Sequence, residues 1–269
     1  MTFIIDHEKM REMAKIPLIL ATDSDLCREG HSFFVGGALP ISATLETIFE
    51  SYGAESADLF VLTFGGTETI RNGLEMAKVI KKNFNTRLLV RISTSFVPDW
   101  LYEQIYASGA DLLDIMLPYK NPNDFQSTLS DKITPQYLAA KNAFPRWSVA
   151  STVTADGSSC STLIRRVEDL LQMGIVPLPR IMWDGQQSSE QEIHNLLQHL
   201  SKSWRTHHVP IKQFSTLITL FSPLVLKQKP GALRNIIDRF HDHGKLATSD
   251  LLRHLRVTAP TDSLDSAGL

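Results

Sequence analysis

The sequence predicts an α/β protein, a partial or full β/α barrel of about six parallel strands with its helices outside. Three observations predict it. Short apolar runs recur along the whole chain and are separated by longer amphipathic stretches. Most of the runs are apolar throughout rather than alternating, as strands covered on both faces are. The strict exchange of strand and helix then implies parallel pairing through crossover helices.

The strand candidates in order are IPLILAT (16–22), DLFVLTF (58–64), RLLVRIST (87–94), LLDIMLP (112–118), WSVASTVT (147–154), IVPLPRIM (175–182) and TLITLFSP (216–223). Helical patterns lie between them. ISATLETIFESYG (41–53) carries Leu45, Ile48 and Phe49 at helical spacing, with Ser42 suited to the N-cap. TIRNGLEMAKVIKKN (69–83) gathers Ile70, Leu74, Ala77, Val79 and Ile80 largely on one side. PDWLYEQIYASGAD (98–111) and STLIRRVEDLLQMG (161–174) are expected to stop at Gly109 and Gly174, since glycine readily adopts the left-handed conformation that closes a helix. SSEQEIHNLLQHLSKSW (188–204) precedes the last run. With no Pro/Gly-rich linker and no internal repeat, the expectation is one barrel domain over residues 1–258. Its trimming from 224 onward is helical, and 259–269 form a flexible tail.

Composition narrows the function classes. The chain has 269 residues, 43% hydrophobic and 21% charged, which suits a well-buried globular core. A formal net charge of −2 gives no general attraction to nucleic acid or to an anionic membrane. Two cysteines do not make a disulfide framework and fit a reducing compartment. The apolar runs are far short of the roughly 20 residues needed to span a bilayer. The first fifteen residues mix acids with bases and lack a long apolar core, so no signal peptide is expected. The expected location is the cytoplasm.

In β/α barrels the chemistry sits at the C-terminal ends of the strands. Those ends read Thr22, Asp23 and Asp25; Gly65, Gly66, Thr67 and Glu68; Ser93, Thr94 and Ser95; Pro118, Tyr119, Lys120 and Asn121; Thr154, Asp156 and Ser158; Trp183 and Asp184; Ser222. This polar ring suits a small polar ligand and offers no evident acid–base pair.

Two stretches carry a family resemblance. FGGTETIR (64–71) follows the second expected strand and opens a helix. CREGHSFF (27–34) follows the first. Together they resemble the core of radical S-adenosylmethionine (SAM) enzymes. Those are β/α barrels whose first strand is followed by C-x-x-x-C-x-φ-C, holding a four-iron four-sulfur cluster, and whose Gly-Gly-Glu stretch binds the amino group of SAM. The resemblance is degenerate: Cys27 is kept, His31 and Phe34 stand at the other two ligand positions, and Phe33 keeps the aromatic. Phenylalanine ligates no metal, so a complete cluster is not expected. Glu68 is displaced by one residue, with Thr67 in the expected position of the glutamate. The resemblance implies SAM as the candidate cofactor and Gly65, Gly66, Thr67, Glu68, Ser93 and Thr94 as the residues that would hold it.

The remaining chemistry-bearing residues have bland and sharp readings. Cys27 and His31 are candidates for a nucleophile–base pair, and with Cys160 for a metal site; incidental packing is the plainer reading of each. Asp23 and Asp25 are read as turn formers in ATDSDL. His207-His208, His241-Asp242-His243, Lys81-Lys82 and Arg165-Arg166 are read as solvated surface.

Three functions follow. The first is a radical SAM-like protein without its cluster, a non-catalytic or repurposed subunit beside a biosynthetic enzyme or a homo-oligomer. The second is an active enzyme that binds SAM or another small ligand at the same barrel mouth. The third is an unrelated β/α-barrel lyase or aldolase, for which Lys120 is the lysine nearest a strand end.

Overall fold

The computed structural model describes residues 3–15, 21–66, 69–92, 97–116, 134–155, 159–181 and 189–227. Seven strands form one sheet: β2 (Leu26–Glu29), β3 (Ser32–Gly36), β4 (Leu59–Phe64), β5 (Arg87–Ile92), β6 (Leu112–Ile115), β7 (Val149–Ala155) and β8 (Val176–Ile181). They lie side by side in chain order. β2 and β3 are antiparallel, and every later pair is parallel. The sheet curls into a half-barrel. A separate antiparallel pair joins β1 (Phe3–Ile5) to β9 (Leu224–Leu226).

The crossover helices are α2 (Ile41–Ala54), α3 (Ile70–Asn83), α4 (Asp99–Ala107), α5 (Thr134–Ala143) and α6 (Cys160–Gln172), and α7 (Glu190–Thr206) follows β8. α1 (His7–Met13) and α8 (Ser215–Phe221) flank them. α4 and α6 end as expected, with Gly109 at φ 113° and Gly174 at φ 77° just past their caps. No helix among the described residues is long and apolar enough to cross a membrane.

Because side chains alternate along a strand, the register divides the sheet into two faces. One carries Phe60, Phe64 and Ser151 and packs on the crossover helices. Phe60 meets Tyr52 of α2, and the Tyr137 hydroxyl of α5 donates to Ser151 Oγ at 2.6 Å. The other face is concave and carries Phe34, Thr63, Arg91, Asp114, Thr152 and Arg180. α8 fills this concavity: the Phe221 ring lies 5.9 Å from Phe34 and 5.5 Å from the Arg91 guanidinium carbon. TLITLFSP is therefore mostly a helix, not the seventh strand the apolar run suggests. A short apolar run fits a strand or a buried helix equally well, and Leu217, Ile218 and Phe221 share one buried side.

The partial closure has a physical cause at each edge. β8 carries Pro177 and Pro179, which share one parity along the strand. Proline has no N–H to give, so these positions are suited to the edge away from β7, where they offer a further strand no N–H donor. At the other edge β2 is antiparallel and its hairpin turn is pinned. Arg28 donates to the carbonyl of Gly30 at 3.1 Å, to the carbonyl of Ser51 at 2.9 Å and to Glu55 Oε2 at 3.3 Å.

Several pairs expected at the surface are tied into the helical layer instead. Lys81 Nζ donates to Asp111 Oδ2 at 2.9 Å, and that carboxylate also accepts from the Leu88 backbone N–H. Arg166 is 2% exposed. On α6, Glu168 Oε1 accepts from the Ser203 hydroxyl at 2.6 Å and meets His199 Nε2 at 2.7 Å, both from α7. His207 Nε2 stands 3.7 Å from Glu168 Oε2. Partial burial raises the Glu168 pKa, but the hydrogen bonds from Ser203 and His199 and the nearby histidine charges outweigh it and hold the carboxyl below its ordinary 4.5. A depressed folded value means the stabilisation is present above 4.5 and is lost as pH falls through the folded pKa. Glu168→Gln is therefore expected to cost about 1 kcal/mol near neutrality and progressively less as pH falls below 4.5, read as the gap between urea unfolding curves of the two proteins.

Candidate functional site

Four strands end alike on the concave face. The penultimate residues of β4, β5, β6 and β8 are Thr63, Arg91, Asp114 and Arg180. Thr63, Arg91 and Asp114 are neighbours in register across β4, β5 and β6. They form one polar layer at the C-terminal end of the sheet. Arg91 is 2% exposed and Asp114 fully buried. Arg91 Nε donates to Asp114 Oδ2 at 2.9 Å, and Thr152 Oγ1 of β7 donates to the same oxygen at 2.9 Å. The carboxylate is thus held from both sides.

The layer's hydrogen bonding is incomplete. Thr63 Oγ1, Arg91 Nη1 and Arg180 Nε are buried and have no hydrogen-bond partner among the described residues. Buried donors without partners cost stability and are rare in folded proteins. Burial, then the neighbouring Arg91 charge, pulls the Arg180 pKa down, and Asp114 opposes this. Among the described residues the layer holds two guanidinium groups and one carboxylate.

The expected residues fall elsewhere or only partly here. Gly65 and Gly66 do follow β4, at the correct end. The space a Gly65 side chain would take is occupied by the Asp23 carboxylate. Gly65 thereby admits the chain's own carboxylate. The Gly66 carbonyl accepts from Thr69 N–H at 3.2 Å and from Thr69 Oγ1 at 2.9 Å. Asp25 acts as a turn former: its Oδ2 accepts from the Thr22 N–H and hydroxyl at 2.8 and 2.7 Å. Those two bonds draw its pKa down. Thr67, Glu68, Ser93, Thr94 and Lys120 lie outside the described residues.

Cys27, His31 and Cys160 are not brought together as a metal site; among the described residues no three His, Cys, Asp or Glu side chains could share a metal ion. Cys27 sits on edge strand β2 opposite Phe34. His31 lies in the hairpin turn and faces Glu55 at 3.6 Å. Cys160 opens α6 and its thiol donates to the Glu192 carbonyl at 3.5 Å. Burial foremost, then nearby acids, raises both thiol pKa values, the reverse of an activated nucleophile.

No family model matches the chain. No curated protein matches it either. Among solved structures it is similar to a dihydropteroate synthase from Coxiella burnetii, determined in complex with pteroic acid. The likeness covers 68% of this chain and 84% of that one, at 15% identity and a TM-score of 0.34. It is too slight to carry an activity or a ligand across.

These findings overturn the radical SAM resemblance. The cluster motif requires a loop at the C-terminal end of the first parallel strand. CREGHSFF is instead the β2–β3 hairpin, with Gly30 at φ 55° and His31 forming its two-residue turn. The His31 carbonyl accepts from the backbone N–H of Asp58 at 2.8 Å, at the start of β4, whereas Gly65 and Gly66 follow the end of that strand. The two motifs stand at opposite ends of the sheet and cannot share a ligand. With the family goes its implied cofactor.

The polar layer itself was overlooked in the sequence, although a signal was present. Arg91, Asp114 and Arg180 are single charges inside the apolar runs RLLVRI, LLDI and VPLPRI. A charge that a strand buries on a packed face must be paired or put to use.

Proposed function

We propose that the chain is a β/α half-barrel enzyme that takes a small polar ligand at the C-terminal ends of its strands, over the Thr63–Arg91–Asp114–Arg180 layer. The observation that supports this is the set of three buried donor groups, unpartnered among the described residues, on the concave face at the ends of β4, β5 and β8, the end that serves as the active face in β/α barrels. A ligand with acceptor atoms completes their hydrogen bonding, and Asp114, held by Arg91 and Thr152, fixes the direction in which Arg91 presents its free edge.

Thr63→Val tests the reading. Valine keeps the shape and removes a hydroxyl that has no partner, so folding stability is expected to stay level or rise by about 1 kcal/mol. Ligands found by saturation-transfer NMR against a panel of small polar metabolites are expected to bind this variant about tenfold more weakly, the loss of one hydrogen bond. Ligands that bind both proteins alike would remove the site from this face.

A further inference from the structure

We infer that the group bound at this layer is an oxyanion, a carboxylate or phosphate, gripped jointly by Arg91 Nη1 and Arg180 Nε. The inference rests on the small-ligand reading above and gives that ligand its chemical class. Charge is the first argument. Asp114 neutralises one guanidinium; the second positive charge in the layer has no carboxylate beside it among the described residues. Donor geometry is the second. The carboxylate engages Arg91 through Nε, which leaves Nη1 unused at a residue 98% removed from solvent. Arg180 leaves its Nε unused from the other side of Thr152, on a strand end three places along the sheet.

Two like charges held together in a partly dry site repel one another. A neutral acceptor could take up the free N–H groups but would leave that repulsion in place. An oxyanion relieves both, and its paired oxygens match the planar donor edge of guanidinium. Phe221 over the Arg91 face keeps water from that side of the group.

The test uses the full chain with 15N-labelled arginine, observing the side-chain Nε–Hε signals assigned through Arg180→Met and Arg91→Lys. Inorganic phosphate, malonate and a neutral polyol, glycerol, are titrated at constant ionic strength against chloride. Saturable movement of both arginine signals with phosphate or malonate, absent with glycerol, is the expected result; whichever of the two anions binds more tightly identifies the source. In Arg180→Met the retained Arg91 response should weaken roughly ten- to a hundredfold, as for one lost charge-assisted hydrogen bond. This variant leaves the balanced Arg91–Asp114 pair intact and so is expected to fold. Movement with chloride alone, or anion binding unchanged in Arg180→Met, overturns the inference. Thr63-dependent binding of neutral molecules without any anion response overturns it too while leaving the small-ligand reading standing. No response to any of these probes at either arginine sinks both.

Discussion

Asp114→Ala is expected to destabilise the protein by about 3–5 kcal/mol, because it strands the Arg91 guanidinium in a site that is 2% exposed. The loss has three parts. The ion pair at 2.9 Å disappears, the Thr152 hydroxyl loses its acceptor, and two positive charges face each other unscreened. Desolvation of the stranded charge dominates, since the Coulomb attraction of a buried pair largely offsets what the pair itself costs to bury. The double replacement Arg91→Met with Asp114→Leu should therefore recover most of the loss, as removing both charges leaves nothing unpaired. Urea unfolding of the single and double variants measures the difference. A single variant within about 1 kcal/mol of the parent would mean that the layer is wet and that Arg91 is not held by Asp114.

Phe221→Ala is expected to cost about 3–5 kcal/mol, as for other large aromatic truncations in a core. Its ring is 6% exposed and spans the concavity, touching Phe34 from β3 and lying over Arg91 from β5. Among the described residues no strand closes the barrel on that side, and α8 supplies the apolar cover there. Truncation opens a cavity beside a buried charge and admits water to it. Thermal unfolding should show the loss, and the Arg91 Nε–Hε signal should exchange faster with solvent. Preserved stability would show that α8 does not plug the half-barrel.

Much of the architecture was legible in the chain. β4 to β8 coincide with apolar runs read as covered strands, and the helices between them follow the apolar spacing and the stops at Gly109 and Gly174. These features are local: an apolar run of strand length and a glycine after a periodic stretch carry their meaning within a few residues. The hairpin was misread for the opposite reason. CREGHSFF has a two-residue turn opened by glycine, but its partner strand was hidden among aromatic residues that also fit a cluster motif. Only the pairing of Cys27 with Phe34 separates the two.

The candidate site was less legible. The polar ring expected at the strand ends is made of residues beyond each strand. The unpartnered groups lie one step inside, at Thr63, Arg91 and Arg180. Whether an inward charge at a strand end is satisfied depends on which residue stands beside it in register, and register joins residues such as Arg91 and Asp114 that lie 23 positions apart.

The sequence by itself therefore determined the elements and their order, because helix and strand periods and chain stops are written in short windows. The tertiary structure decided that TLITLFSP becomes a helix across the concave face, that CREGHSFF is a hairpin rather than a metal loop, and that Arg91 meets Asp114 at the strand ends. Each of these turns on which distant residues meet, and burial, not local preference, sets the energy of that meeting.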